Sequence, residues 1–417
     1  MAAPRTVTAQ PPVITGPIVT ITALTFVFFS AYLFYFPTLP FFIRELGGRE
    51  STIGVLIGIS SLTALAARPF VGWATDAWGR RPVVVAGLFI FALNCALYNL
   101  PRSPEAVLPL RLMTGISLAT FLTGASTYIA DVAPPERRGT VISYFGVANS
   151  LAFAVGPALG GFIINAGALE GFDSAFTSRA SWLSGARTGE FHFTSLFIIS
   201  AAIGVAGGLV ALLLPEARPA DAPPPSRLSP RTLFSRPAVF PAVVNFLAMM
   251  VFAAMVTFMP LYVRDNGLDN PGTLFMVYAA GVILMRVVLG SFIDRVPRAA
   301  VVVPGIGLLA ASMATMAATT NVPVFFVAAG LYGLGTGAFQ PALMAFTVDR
   351  APAAERGRAM STFTLGADLG ISLGSFALGV LVDAFDYRPM FLVAGTVALL
   401  GAATFAAGGR EPGPRRA

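Results

Sequence analysis

The sequence contains no lysine, a single histidine and a single cysteine, and only 11% of its 417 residues are charged. An average soluble domain has about 25% charged residues, so a chain with so few charges cannot cover a water-facing surface. The single Cys95 also excludes an intrachain disulfide. With so few metal ligands and nucleophiles, we expect no bound metal and no cofactor.

Common catalytic motifs are missing as well. The sequence contains no HExxH, no cysteine cluster and no phosphate-binding loop of the form GxxxxGK followed by Ser or Thr. We therefore expect a protein that is not an enzyme. The missing phosphate-binding loop also argues against ATP as its direct source of energy.

Long apolar runs dominate the chain, which is 56% hydrophobic. Each run approaches the roughly 20 residues that a helix needs to cross the hydrocarbon core of a bilayer. The first run lacks the basic flank of a cleavable signal peptide, so we expect it to remain as helix 1. The predicted transmembrane helices cover residues 17–42, 52–73, 83–100, 105–130, 140–164, 192–214, 238–261, 272–293, 299–319, 323–348, 359–382 and 389–408.

The basic residues are distributed unevenly. The formal net charge is +7, and all 27 basic residues are arginines. In the predicted topology, 17 arginines lie on the side that holds both termini, 7 on the other side and 3 inside helices. This asymmetry follows the positive-inside rule and predicts cytoplasmic termini rather than a nucleic-acid-binding surface. A compact chain with short loops fits the inner membrane of a bacterium.

An internal repeat divides the chain. Shifting the sequence by 218 residues places the charged and glycine positions of one half on those of the other, without a gap. The matched pairs include Arg68 with Arg286, Asp131 with Asp349, and Gly156 with Gly374. The predicted fold class is therefore all-α, a polytopic membrane protein with twelve transmembrane helices in two pseudo-symmetric six-helix bundles. Residues 1–214 and 238–417 form the bundles, and the proline- and arginine-rich residues 215–237 form a cytoplasmic linker.

The loop between helices 2 and 3 reads RPFVGWATDAWGRR and carries Arg68, Gly72, Asp76, Gly79, Arg80 and Arg81. This pattern resembles the G-x-L-A-D-R-x-G-R-R signature of the major facilitator superfamily, with alanines at two of its positions. A second copy, with Arg286, Gly290 and Asp294, lies where that family repeats the motif. The resemblance implies alternating access by rocking of two halves, with Asp76 at the amino end of helix 11 in one state. The alternative is a charge cluster that only keeps the loop in the cytoplasm.

Helix 4 contains a second element that is similar to one in this family. Arg111 and Gly115 match its R-x-x-x-G pattern. An arginine inside the hydrocarbon costs about 3 kcal/mol, so it should face protein or a water-filled cavity. Snorkelling of Arg111 towards lipid headgroups is the alternative.

Helix 5 contains GPALGG, which is similar to an element that marks antiporters in the superfamily. Its residues are Gly156, Pro157, Gly160 and Gly161. The match favours export over uptake, although close packing of helices would also explain these small residues.

Asp368 is the acidic residue that lies near the middle of a predicted helix. A carboxylate inside the membrane that binds and releases a proton is a means of coupling transport to a proton gradient. We hypothesise that Asp368, together with Arg111, carries proton coupling. A structural hydrogen bond to a neighbouring helix is the alternative for Asp368.

Aromatic, methionine and amide side chains are candidates for the wall of a substrate cavity, because such surfaces suit loosely specified apolar ligands. Each of them could equally pack against a neighbouring helix. They are Phe28, Tyr32 and Phe36 on helix 1, Asn245 and Met249 on helix 7, and Phe339 and Gln340 on helix 10.

The sequence thus favours a secondary transporter, a proton-coupled exporter of amphipathic or drug-like molecules that resembles the twelve-helix drug/proton antiporters. Its expected partners are a small-molecule substrate, protons and the lipid bilayer, without nucleic acid, and we expect a monomer. One alternative is a uniporter or symporter of a metabolite or lipid. A non-transporting membrane receptor of the same fold is another.

Overall fold

The structure, a computed structural model, describes residues 15–134, 137–165, 193–218, 235–290, 296–352 and 355–409. Within these ranges the regular secondary structure is helical, and all twelve predicted helices are present. We number them α1 (Gly16–Glu45), α2 (Glu50–Trp78), α3 (Arg80–Leu97), α4 (Leu108–Val132), α5 (Arg138–Asn165), α6 (Phe193–Ala211), α7 (Arg236–Asp265), α8 (Gly272–Gly290), α9 (Arg298–Ala318), α10 (Val322–Arg350), α11 (Arg356–Phe385) and α12 (Tyr387–Gly408).

Most of these helices have the length and composition of membrane spans. In the described part of the chain, eleven helices are long and apolar enough to cross a bilayer, and the apolar part of α8, Gly272–Val288, is shorter. With α8 counted as a crossing, the twelve helices place both ends of the described chain on one face. We call that face proximal and the opposite face distal.

Prolines mark where several helices begin. A proline lacks the backbone N–H that would have no partner in the first turn, so it is tolerated there. Four helices have a proline at their first or second position: α1, α4, α7 and α10. Two helices are irregular inside. α1 is interrupted at Phe34, between Gly16–Leu33 and Tyr35–Glu45, and α7 contains a π-helical turn over Ala254–Phe258.

The sequence repeat is also a repeat of contacts. A Cβ added at Gly87 would lie 2.6 Å from the nitrogen of Phe121, and one added at Gly305 would lie 2.9 Å from the Cβ of Phe339. Phe121 and Phe339 differ by the same 218 residues as the two glycines. Likewise, Gly115 packs on the backbone of α2 as its counterpart on α10 packs on the backbone of α8. The two six-helix bundles are therefore built with the same internal packing.

Candidate functional site

The two bundles meet most closely towards the distal face. Along α2 and α11, Gly54 packs against the carbonyl oxygen of Ser375, and a Cβ at Gly58 would lie 2.6 Å from the carbonyl oxygen of Ser372. Between α5 and α8, Gly161 packs directly on Gly272. Side chains larger than hydrogen do not fit between these backbones, so the glycines allow the distal face to close.

Charged residues join the bundles at the distal helix ends. Arg44, at the end of α1, donates to Asp265 on α7 at 2.8 Å and to Glu50 on α2 at 2.9 Å. It also contacts the hydroxyl of Tyr387, the first residue of α12, at 2.5 Å. We call Arg44, Glu50, Asp265 and Tyr387 the distal latch, because its members come from both bundles. Because these ion pairs are partly exposed, each contributes about 1 kcal/mol or less to the stability of the protein.

A second ion pair crosses between the bundles deeper in the molecule. Arg68 on α2 donates to the carboxylate of Asp368 on α11. Both lie on the proximal side of the glycine contacts, and their side chains are only 23% and 12% exposed. Because the guanidinium belongs to one bundle and the carboxylate to the other, this bond depends on how the bundles are placed.

The surroundings of this pair contain two further polar groups. The charges of Arg111, Asp368 and Arg68 all act on the phenol of Tyr32, which is buried on α1. Arg111 itself is 3% exposed. Tyr32 and Asp368, which the sequence analysis named for different reasons, are therefore brought into one polar region. The helix that contributes Asp368 presents its glycines, Gly366 and Gly370, to α7 instead.

The guanidinium of Arg111 is bound to α2. It donates to the carbonyl oxygen of Leu56 at 2.7 Å, to that of Ile57 at 3.1 Å and to the hydroxyl of Ser60 at 2.6 Å. Gly115, one turn further along α4, lets the backbones of α4 and α2 touch at Ser60. The structure therefore decides against snorkelling towards lipid headgroups, because the charge is buried among protein groups. The coupling role of Arg111 stays a prediction.

The predicted loop motif forms a charge cluster at the proximal face. Arg80, which is 7% exposed, donates to Asp131 at 2.8 Å and to the carbonyl oxygen of Thr75 at 3.0 Å, and it lies 3.4 Å from Asp76. Gly79 has φ of +105°, a backbone conformation that favours glycine. In this arrangement Asp76 pairs within its own bundle. Its predicted contact with the amino end of α11 belongs to the other state and stays a prediction.

Two residues that the sequence analysis assigned to the linker complete this cluster. Glu216 accepts from the backbone nitrogens of Arg80 and Arg81 at 2.8 and 3.2 Å, so a carboxylate caps the positive end of α3. Arg218 donates to the carbonyl oxygen of Ala77 at 2.9 Å, at the end of α2. The start of the predicted linker is therefore attached to the N-terminal bundle. The sequence contains one signal for this attachment, since the acidic Glu216 and the basic Arg218 lie close together shortly after α6.

The second copy of the motif is described in part. Arg298 lies 3.5 Å from Asp349, which repeats the pair of Arg80 with Asp131. Gly290 ends α8, and Asp294 lies outside the described residues. Arg286 is on α8, and its Nε is buried without a hydrogen-bond partner among the described groups. The two copies thus share one ion pair but differ at the arginine on the preceding helix.

The glycines of helix 5 pack in two directions. Gly156 and Gly160 meet α1 at Ser30 and Phe34, and Gly161 meets α8. Pro157 lies inside the same helix and is buried. The element therefore holds α1 on one side and closes the distal interface on the other, which agrees with its interpretation as packing. Its association with antiport stays a prediction.

Four of the predicted cavity residues do not line an opening in this arrangement. Phe28 stacks on Phe121 with ring centroids 4.0 Å apart, and the amide of Asn245 donates to the carbonyl oxygen of Phe363 at 3.0 Å. Met249 and Phe339 pack on glycines of α11 and α9. Each is buried within its own bundle, so packing accounts for it.

The remaining three predicted cavity residues differ from one another. Tyr32 is buried in the polar region described above, and Gln340 is partly exposed on α10. The side chain of Phe36 lies outside the described part of the structure.

Comparisons with known proteins agree with this architecture. The model of the Major Facilitator Superfamily matches residues 21–273 and 269–417. The staphylopine export protein of Staphylococcus aureus is 24% identical over 386 residues, which cover 90% of this chain and 92% of that protein. Multidrug resistance protein 2 of Bacillus subtilis is 30% identical over 142 residues, 34% of this chain and 36% of the other.

Solved structures match over nearly the whole chain. A bacterial homologue of the human lysosomal transporter Spinster, in an inward-facing and occupied conformation, superimposes with a TM-score of 0.77 at 17% identity. The match covers 96% of this chain and 98% of that one. At this identity the likeness concerns the fold.

Proposed function

The chain belongs to the Major Facilitator Superfamily, and from that premise we propose that it exports small amphipathic molecules in exchange for protons, with Arg68 and Asp368 as the coupling pair. Members of this family are membrane transporters and not enzymes. The observation that carries the proposal is the ion pair itself, which is largely buried and has one partner in each bundle.

The predicted orientation of the chain indicates from which side of the membrane Asp368 is reached. The arginine distribution predicts that the proximal face is cytoplasmic. In that orientation the glycine contacts and the distal latch close the outer face. We therefore expect Asp368 to be reached from the cytoplasm in this arrangement.

Tilting of the bundles changes the surroundings of Asp368. When α2 and α11 separate on the outer side, the carboxylate loses Arg68 and meets external water. During closure the carboxylate is buried before it reaches Arg68, and an unpaired buried charge costs several kcal/mol. A proton taken up from the outside lowers this barrier, although the neutral carboxyl no longer stabilises the closed arrangement through Arg68. Release of the proton to the cytoplasm restores the pair with Arg68 and completes one cycle of exchange.

The direction of transport is supported by relatives and by one motif. The relative in Staphylococcus aureus, which matches over nearly its whole length, is an export protein. The relative in Bacillus subtilis, which matches over 142 residues, is a multidrug resistance protein. The helix-5 element GPALGG favours antiport over symport by resemblance. Uptake of a metabolite with a proton is the second candidate, and the same experiment separates the two.

Proteoliposomes with imposed pH gradients test the proposal. Two fluorescent dyes serve as probes, the neutral N-phenylnaphthylamine and the anionic anilinonaphthalenesulfonate. We expect dye movement to reverse when the gradient is reversed, with dye and protons moving in opposite directions. We expect Asp368→Asn to abolish the response to the gradient while leaving exchange of dye for dye.

Asp383→Asn is the matched control, since it removes a carboxylate from the distal end of the same helix, where Asp383 accepts from the backbone of Ser51 at 3.3 Å. It should leave gradient-driven movement intact. Proton-driven transport that is undiminished in Asp368→Asn would remove the coupling role. Dye movement in the same direction as protons would favour symport.

A further inference from the structure

An arginine that has no carboxylate partner among the described residues lies on the protein-facing side of α8. Arg286 follows Phe275, Ala279 and Val282 at helical spacing, and these three residues are 8% exposed or less. Leu284, on the other side of the helix, is 57% exposed. The side chain of Arg286 therefore begins on the buried side of the helix and does not belong to the lipid-facing stripe.

The electrostatic surroundings of Arg286 contain no compensating anion among the described residues. Its Nε is buried and donates to no group of the described residues. The neighbour that acts on its charge is Tyr278, a phenol on the same helix. A cation inside the membrane is costly unless it is paired or serves a ligand, so an unpaired arginine marks a functional position.

The internal repeat shows how the two interfaces between the bundles differ. Arg286 is the counterpart of Arg68, and Ser150 on α5 is the counterpart of Asp368, both at the offset of 218 residues. α5 packs on α8 as α11 packs on α2. One interface thus combines an arginine with a carboxylate. The other combines an arginine with a serine at the equivalent place, and the negative charge is missing.

The two positions lie at similar depth. Gly161 and Gly272 mark where α5 and α8 touch. With a rise of 1.5 Å per residue, Arg286 lies about 21 Å and Ser150 about 16 Å on the proximal side of that contact. The difference is within the reach of an arginine side chain. Arg286 therefore lies at the depth of the inner part of the interface, which faces the cytoplasm in the predicted orientation.

We propose that Arg286 binds the anionic group of an amphipathic substrate, a carboxylate, sulfonate or phosphate, between α5 and α8. The guanidinium offers a planar set of donors that matches such groups, and the missing counterpart of Asp368 leaves those donors available to a ligand. This inference rests on the proposed transport function and names its substrate class: organic anions with an apolar body.

Equilibrium binding in nanodiscs tests the site without any pH gradient. Anilinonaphthalenesulfonate and N-phenylnaphthylamine share one aromatic body and differ by the sulfonate. In titrations corrected with empty nanodiscs, we expect Arg286→Gln to weaken binding of the anionic probe by roughly tenfold or more, as for loss of a charged hydrogen bond. Binding of the neutral probe should be unchanged. Arg286→Lys should keep part of the preference for the anion.

A second variant adds the charge that the repeat lacks. Ser150→Asp supplies a carboxylate at the counterpart of Asp368, so it should compete with the anionic probe while Arg286 is still present. Arg264→Gln is the matched control, because Arg264 is at the distal end of α7 and near Asp269. It should bind both probes like the parent protein.

Two outcomes would overturn the site. Arg286→Gln with the parent affinity for the anionic probe would show that the arginine does not bind it. Equal losses for both probes would show a structural role instead. Neither outcome depends on Asp368, so proton coupling can fail while the anion site holds, and the reverse is also true.

The same chemistry can come from a lipid phosphate or from a soluble substrate, and lipid composition distinguishes them. Nanodiscs of phosphatidylcholine alone are compared with nanodiscs that also contain phosphatidylglycerol. If phosphatidylglycerol weakens binding of the anionic probe, and if Arg286→Gln removes this difference between the two kinds of nanodisc, the site binds a lipid headgroup. Equal binding in both assigns it to a soluble organic anion.

Discussion

Replacing Gly58 by alanine should open the distal face. A Cβ at this position would lie 2.6 Å from the carbonyl oxygen of Ser372, whereas ordinary van der Waals contact begins near 3.4 Å. The backbones of α2 and α11 must therefore move apart by roughly 1 Å, because a carbonyl in a helix cannot turn away. The clash exists only while the two helices are packed at this face.

The size of the shift towards the open arrangement follows from the clash, because the clash raises the free energy of the closed arrangement alone. Overpacking a close contact costs about 1–3 kcal/mol. Since the open arrangement does not bear the cost, the equilibrium should shift towards it by about 5- to 150-fold. Gly307→Ala is the matched control, since this glycine lies inside α9 and an added Cβ would meet nothing within 4 Å. Both substitutions gain the same helix propensity, so that contribution cancels.

Cysteine accessibility measures the shift. Cys95→Ala removes the single native thiol, and Ser375→Cys places a reporter on α11 where the residue is fully buried in the closed arrangement. A membrane-impermeant maleimide should label the reporter faster with Gly58→Ala, by a factor in the range above, and at the parent rate with Gly307→Ala. Equal labelling of both variants, with unchanged thermal stability, would refute the closure of the distal face by these glycines.

Two further variants examine the proximal cluster and the α2–α4 interface. Gly79→Ala places a side chain on a backbone at φ +105°, with its Cβ 2.7 Å from the Glu216 carboxylate. It should therefore lower the free energy of unfolding by about 1–3 kcal/mol in a thermal unfolding assay. A melting temperature equal to that of the parent would contradict this. Arg111→Gln removes the hydrogen bonds to Leu56, Ile57 and Ser60. It should destabilise the fold by about 3–5 kcal/mol or prevent expression, as when one partner of a buried charged network is lost. Normal stability with lost proton dependence of transport would instead favour a role of Arg111 in proton coupling.

The positions of the helices could be predicted from the sequence, because the thickness of the bilayer sets the length of the apolar runs. All twelve predicted helices are confirmed. Their ends were less accurate: helix 2 was predicted for residues 52–73 and spans Glu50–Trp78, and helix 11 was predicted for 359–382 and spans Arg356–Phe385. Both helices continue into polar residues past the hydrocarbon, where hydropathy carries no signal.

Contacts between distant residues could not be predicted in the same way. Arg68 and Asp368 were each named as candidates, but they are 300 residues apart and no local spacing indicates that they pair. The aromatic residues Phe28 and Phe339 were proposed for a cavity wall, yet they pack within a bundle. Hydrophobicity does not distinguish these two environments, because a packing surface and an apolar binding surface have the same composition.

The internal repeat was the most informative property of the sequence. It predicted which segments correspond, and the structure repeats the contacts of Gly87 and Gly305 at the same offset. It also identifies where the halves differ, at Asp368 and Ser150. Duplicated packing is explained by fold stability, whereas a departure from the repeat at a charged position requires a separate, functional explanation.

The pH dependence of the distance between α2 and α11 tests the coupling claim most directly, since it needs no substrate. Spin labels at Thr52→Cys and Ala384→Cys in the Cys95→Ala background report the separation of the distal helix ends. Lowering the pH should protonate Asp368, break its pair with Arg68 and increase the population with the longer distance. Asp368→Asn should show that population at every pH, whereas an unchanged pH dependence in this variant would contradict the account.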